Sequence, residues 1–207
     1  GHDPRGCRRL AATVALEDGK LIADLDAYRA TKHLGGCSTL RWRSGIKHDC
    51  SKVMELEFTD RKLKNGLGES LDLEPDYLLP MFKTSEVAGG RVDHCHRRMI
   101  VTQRSIGEQT AAIAERAPMT WLDLQRHRAL LGKRGSSIYR GKPEFSIFGV
   151  GDYTFSPWKI AISGMYKSLR FVKVGPCGGQ PVVFDDTTNF IPCPLETEVT
   201  FLLSLLD

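Results

Sequence analysis

Two clusters in this chain carry side chains able to hold a metal ion: His48-Asp49-Cys50 and Asp93-His94-Cys95-His96. Zinc asks for four convergent donors, usually from two spaced pairs. On a strand, His94 and His96 share one side and Cys95 points to the other. The ligand count falls short, so both clusters read as polar loop residues and no metal site is expected. A nuclease needs clustered carboxylates with a lysine to hold magnesium and activate water. Asp18-Gly19-Lys20 and Asp185-Asp186 match that only loosely, and in Asp185-Asp186-Thr187-Thr188 the short polar side chains suit a turning backbone. Phe148-Gly149-Val150-Gly151 looks like part of the glycine loop that opens S-adenosylmethionine binding. That loop requires a strand before it and a helix after it. Here Asp152-Tyr153-Thr154-Phe155-Ser156-Pro157 follows, a poor helix start, and no Asn-Pro-Pro or Asp-Pro-Pro occurs to hold a target amine. Gly-x-Ser-x-Gly and Walker-type loops are also absent from the sequence.

A different chemistry is concentrated between Ser136 and Lys167, which holds seven of the chain's 17 aromatic residues. Tyr139, Phe145, Phe148, Tyr153, Phe155, Trp158 and Tyr166 are interleaved with Arg140, Lys142, Lys159 and Lys167 and with several glycines. Rings for stacking, cations for phosphate and glycines for close approach suit a nucleic-acid surface. Arg41-Trp42-Arg43-Ser44-Gly45-Ile46-Lys47-His48 is a second basic, ring-containing segment. In it Ser44 and Gly45 would let backbone approach phosphate while a cation reads guanine.

The net charge of +4 conceals its distribution. Residues 91–143 carry 11 basic and 4 acidic side chains, whereas residues 1–90 carry 14 of each. Positive charge is thus densest beside the ring-rich segment, which favours a polyanionic partner. At 207 residues the chain is long enough for a sizeable core. Its apolar runs are far below bilayer length and its start is not signal-like, so no membrane partner and a cytoplasmic location are expected. The six cysteines, which form no Cys-x-x-Cys pair, read as reduced thiols.

The elements that must position these residues read as α+β: one mixed domain with a largely antiparallel or mixed sheet, several short helices and a C-terminal amphipathic helix. Residues 17–34 predict a short helix, and Ser38–Asp60 extended chain. Lys64–Gly68, with its Asn-Gly pair, predicts a turn, and Asp76–Lys83 a helical turn. Met99–Thr102 reads as a buried strand and Glu108–Ala117 as a helix stopped by Pro118. Thr120 to Asp123 fits a capping box opening a helix to about Leu131. Strands follow at Lys159–Ser163, Arg170–Val174, Pro181–Phe184 and Asn189–Ile191. A final helix would carry Leu195, Val199, Leu202, Leu203 and Leu206 on one stripe. Residues 1–37 read as an N-terminal segment and 38–207 as the domain proper, with a softer boundary near Gly89-Gly90.

Several long segments then carry a resemblance. RWRSGIKHDCSKVMEL (41–56), NGLGE (65–69), YLLPMFKTSEV (77–87), VTQRSIGEQT (101–110) and APMTW (117–121) follow in order. SSIYRGKPEFSIFGVGDYTFSPWKIAISGMYK (136–167) and VVFDDTTNFIPC (182–193) continue it. Over roughly residues 38–206 the chain resembles the C-terminal target-recognition region of adenine-specific DNA methyltransferases of bacterial restriction–modification systems. The resemblance implies an α+β module that docks on double-stranded DNA, working with a catalytic methyltransferase domain in cis or as a separate subunit. That domain, which flips and methylates adenine with S-adenosylmethionine, has no counterpart in this sequence, so no cofactor and no complete active site are expected here. The family often has Cys and Tyr where this chain has Thr188 and Asn189. Side-chain chemistry selects the expected DNA contacts: Lys47, Arg140, Lys142, Lys159 and Lys167 for phosphates, Arg43, His48 and Tyr153 for base edges, Phe155 or Trp158 for stacking or wedging, and Arg41 and Ser44 as further DNA-binding residues of the same basic segment. A small magnesium-dependent endonuclease and a docking module for a separate methylase subunit are the alternative readings.

Overall fold

A computed structural model describes residues 14–36, 38–59, 62–165 and 169–206. The chain divides after Leu40 into two compact units. In the first, β1 (Ala15–Glu17) and β2 (Lys20–Ile22) form an antiparallel hairpin, followed by helix α1 (Leu25–Thr31). The helix expected over 17–34 is therefore hairpin for its first third. The cause is Asp18-Gly19, whose φ values of 52° and 72° make the mirror-image turn that strand twist prefers. Asp24 then caps α1, its carboxylate accepting the Ala27 N–H at 2.9 Å.

The second unit contains two sheets. Its elements in chain order are β3 (Arg43–Ser44), α2 (Ser51–Met54), β4 (Glu55–Thr59), β5 (Lys62–Asn65), β6 (Ser70–Leu71), β7 (Leu78–Phe82), α3 (Thr84–Gly89) and β8 (Arg97–Ile100). After them come α4 (Ile113–Arg116), α5 (Pro118–Arg126), α6 (Arg128–Leu131), β9 (Trp158–Ser163), β10 (Val172–Val174), β11 (Val183–Phe184), β12 (Thr188–Cys193) and α7 (Glu196–Leu203). A six-stranded sheet runs β11-β7-β8-β4-β5-β6, antiparallel except for the β11–β7 pair. A four-stranded sheet runs β10-β9-β12-β3, antiparallel throughout. The fold is α+β with mixed sheets.

One core packs the six-stranded sheet, through Leu56, Leu79, Met81, Met99 and Ile100, against Ile113, Leu124 and Leu131 of α4–α6. A second gathers Phe82, Val87, Ala161, Phe184 and Phe190, and a third sets Ile160, Ile191 and Cys193 against Val199 of α7. Ile160 and Ala161 are consecutive, so β9 is covered on both faces. Among the described residues Cys50, Cys95, Cys177 and Cys193 are free thiols; Cys7 and Cys37 lie outside them.

Several elements differ from the sequence-based reading for identifiable reasons. Asp76–Lys83 is helical only at Pro75–Tyr77 and then becomes β7, every residue of which is buried. A strand buried on both faces shows no alternation to betray it. Helix α5 begins at Pro118 rather than at a Thr120 capping box. Glu74 supplies the cap from a distant loop: its carboxylate accepts the N–H of Met119 at 2.7 Å and of Thr120 at 2.9 Å. Two of the amides left open at any helix start are thereby satisfied. Gly89-Gly90 is a helix end, Gly90 closing α3 with φ 67°, and not a boundary between units. On α7 the apolar stripe narrows to Val199, Leu202 and Leu203, while Leu195 and Leu206 face solvent.

Candidate nucleic-acid interface

Three sequence segments far apart in the chain meet at one place, and two glycines allow it. The Gly45 N–H donates to the Thr188 carbonyl at 2.9 Å and the Ile46 N–H to that of Phe184 at 2.7 Å. Lys47 and Phe148 exchange both backbone hydrogen bonds at 2.9 Å. A Cβ on Gly45 would lie 2.0 Å from the Asp185 carbonyl oxygen, and one on Gly149 would lie 2.3 Å from that of Gly45. Gly149 also holds φ at +69°, a conformation that side chains resist. The segments 41–49, 148–155 and 184–190 are therefore stitched together backbone to backbone.

Charged and aromatic side chains surround this seam. The Lys47 ammonium donates to Asp49 at 2.6 Å and to Asp186 at 3.3 Å, and the Asp49 contact foremost raises its pKa. Arg43 lies over the Tyr153 ring at 4.6 Å, and Tyr153 in turn packs beside Phe190. On the other flank Arg134 stacks on Tyr139 at 3.8 Å, and the Tyr139 hydroxyl donates to the Lys47 carbonyl at 3.4 Å. Burial pushes the Tyr139 phenol up to about 12, so it stays a neutral donor. The Arg134 guanidinium also donates to the carbonyls of Leu131 at 2.8 Å and Ser146 at 2.7 Å. These contacts wall a groove of about 420 Å³ lined by Arg128, Arg134, Tyr139, Arg140, Lys142 and Glu144 among others. Arg128 pairs with Glu144, whereas Arg140 and Lys142 are exposed.

The expected contact residues separate into three groups. Arg41, Arg43, Ser44, Lys47, Tyr153, Arg140 and Lys142 lie on or beside the seam and its groove. His48 and Lys159 are corrected to interior residues. His48 is 6% exposed, its Nε2 3.2 Å from Glu55 and its Nδ1 accepting the Cys50 N–H at 3.1 Å. Burial works to raise the Glu55 carboxyl, but hydrogen bonds from His48 and Lys83 outweigh it and hold the pKa low. Lys159 is 1% exposed, and its ammonium donates to the Ser156 carbonyl at 2.5 Å. Neither side chain can reach a phosphate from there. Trp158 and Phe155 form the third group. Trp158 faces β10 and α7 at the far end of β9 from Ser163, five residues or about 16 Å away. Phe155 packs on the first core and carries Arg104 over its ring at 4.0 Å. Lys167 lies outside the described residues.

Desolvation depresses the Lys159 pKa to about 7 from an ordinary 10.5. The sign follows from linkage. Below about 7 both folded and unfolded chains hold the proton, and the folded state bears the full desolvation cost. As pH rises through the unfolded value, both become neutral and the cost disappears. Lys159→Met should therefore stabilise the protein by about 1–3 kcal/mol at pH 6. The gain should shrink as pH rises from about 7 and be lost above 10.5, as thermal melts across that range would read.

Arg134 was not among the expected contacts, and no local pattern marks it: its role comes from carbonyls 12 and 86 residues away along the chain. The other groups singled out have structural occupations. Asp185 accepts the Thr187 hydroxyl at 2.7 Å and Asp186 pairs with Lys47 at 3.3 Å. Asp93 and His94 are exposed, and His96 sits 3.3 Å from Glu57. Among the described residues no helix is long and apolar enough to cross a membrane.

No family model matches the chain. Over 179 residues, 86% of its length, it is 48% identical to the Type II methyltransferase M.NspV of Nostoc sp.. The chain spans 37% of the length of that relative, and so is homologous to a part of it. Among solved structures, the Type IIL restriction-modification enzyme MmeI in complex with DNA superposes with a TM-score of 0.47 at 14% identity. That match covers 81% of this chain and 21% of the other.

Proposed function

We propose that this chain binds double-stranded DNA and selects its site, as the target-recognition part of an adenine-specific methyltransferase of a restriction–modification system. The catalytic domain, with its S-adenosylmethionine site, would be supplied by a separate stretch of protein in cis or by a separate subunit. The observation that carries the reading is the seam at Gly45 and Gly149. It unites the basic segment 41–49, the ring-rich segment 148–155 and the turn 184–190 beside a groove edged by Arg140 and Lys142. Cations and flat rings gathered at one place are what phosphate positioning and base contact require. The 48% identity to a Type II methyltransferase supports the same reading.

The chain should bind short random duplexes at low salt, and its affinity should fall as salt rises. Each neutralised phosphate contributes about −0.9 to the log–log slope, so three or four contacts give a slope of about −3 to −4. Fluorescence anisotropy from 50 to 200 mM salt measures it. No binding at the lowest salt, or binding indifferent to salt, would reject DNA as the partner. Selection from randomised duplexes tests the finer claim: enrichment of a consensus supports target recognition, and an unenriched pool refutes it.

A further inference from the structure

We propose that Glu69, Asp123 and His127 form a structural zinc site that pins the β5–β6 turn to the end of α5. Asp123 and His127 are four residues apart and so share one face of the helix. Glu69 comes from the turn after β5, where the Asn65 side chain accepts the N–H groups of Leu67 and Glu69, each at 3.0 Å, and donates to Glu69 Oε2 at 2.6 Å. One donor atom from each of the three residues lies within 4.8 Å of the other two. No other such group of three is present among the described residues.

Two independent features point to a cation. The first is Asp123, which is 3% exposed and whose carboxylate oxygens have no hydrogen-bond partner, the nearest ring nitrogen being His127 Nδ1 at 3.4 Å from Oδ1. A carboxylate buried without donors is costly unless a positive charge faces it. The second is the orientation of His127, itself 6% exposed. Its Nδ1 lies 2.9 Å from the backbone oxygen of Asp123. Donation there fixes the tautomer with the proton on Nδ1, the usual arrangement for a histidine that ligates through the other nitrogen. The Nε2 lone pair then points at Glu69 Oε2, 2.8 Å away. A lone pair and a carboxylate cannot face each other at that distance without something positive between them. A proton there lets the His127 ring face both carboxylates, Nε2 at 2.8 Å from Glu69 and Nδ1 at 3.4 Å from Asp123, but supplies one positive charge for two negative ones, which a divalent ion would match. One imidazole with two carboxylates suits zinc, with water in the fourth position on the solvent side of Glu69. Zinc–donor bonds of about 2.0–2.2 Å require donors roughly 3.3 Å apart, so Glu69 would retreat from Nε2 by about half an ångström while the Asp123 oxygen, within 4.8 Å of both, closes on the ion.

The test uses the 207-residue chain stripped with EDTA and titrated with zinc chloride. The expected result is one equivalent bound, with a melting temperature several degrees above the stripped form. Asp123→Asn and His127→Gln should each weaken binding by at least tenfold. Glu69→Gln, on a half-exposed turn, should do the same and keeps the test decisive if the two buried variants fail to fold. Cobalt substitution separates this site from adventitious binding at the free thiols: a nitrogen–oxygen site gives no thiolate charge-transfer band. Less than a tenth of an equivalent of zinc, unchanged affinity in Glu69→Gln, or a strong thiolate band would each overturn the proposal. In those cases the His127 ring alone bridges the two carboxylates, through Nε2 to Glu69 and Nδ1 to Asp123.

Discussion

Gly45→Ala should leave little folded protein. The added methyl would sit 2.0 Å from one backbone oxygen and 2.5 Å from another, both in the 184–185 segment. Backbone cannot swing aside as a side chain does, so the seam must open or the sheet must shift. Overpacking in a well-filled core costs about 1–3 kcal/mol, and a clash against two carbonyls belongs at or above the upper end. Total stability for a domain is only about 5–15 kcal/mol, so a loss above 3 kcal/mol is a large share of it. Gly149→Ala should be similar, since its Cβ meets the Gly45 oxygen at 2.3 Å and its φ of +69° adds strain. Gly68→Ala is the control: it also has positive φ, 84°, but nothing lies within 4 Å. It should cost about 1 kcal/mol from backbone strain alone. Urea denaturation of the three variants checks the ranking. Equal losses at all three positions would show that the close crossing contributes nothing special.

Replacing both Arg140 and Lys142 with Gln should weaken DNA binding by about tenfold to a hundredfold at 0.1 M salt, with the log–log salt slope shallower by about 1.8. Both side chains are exposed at the groove edge, so the fold should be unaffected and the melting temperature unchanged. Lys173→Gln is the matched control. It removes one exposed cation that pairs with Glu196 on α7, away from the seam, and should leave both affinity and slope as they were. If the control and the double variant behave alike, the groove is not the contact surface. If affinity falls while the slope holds, the two residues act on the structure of the groove and do not neutralise phosphate.

What was legible in the sequence was chiefly local. The Asn65-Gly66 turn and the strands β9, β10 and β12 follow from turn chemistry and apolar runs. The three motifs of the seam were each visible as basic, ring-rich or acidic turn segments. What was hidden is direction. Lys159 sits on a strand whose neighbours look ordinary, but α3 and α7 cover its two faces, so a lysine there is enclosed. His48 reads as a loop residue until Glu55 and the Cys50 amide are seen to enclose it. The Asp123–His127 spacing is masked in the sequence because Asp123 fits a capping box that Glu74 replaces from 46 residues away. Thr120 offered the right chemistry for a cap, and only the tertiary fold decides which carboxylate arrives first. Asp18-Gly19 is the converse case: its local hairpin signal prevails over the helical spacing of Leu21, Ile22 and Leu25.

The crossing of Gly45 and Gly149 also determines what may be exchanged between related chains. The exposed side chains Arg41, Trp42, Ser44 and Asp152 can vary one by one, because they project from the junction. The backbones that form it cannot, since a bulkier residue on either strand displaces the other and the 184–188 turn with them. A chimera that imports residues 41–49 alone inherits a path shaped for a different partner loop. Moving 41–49, 148–155 and 184–190 together preserves the fit, so the transferable unit is a discontinuous cassette of three loops.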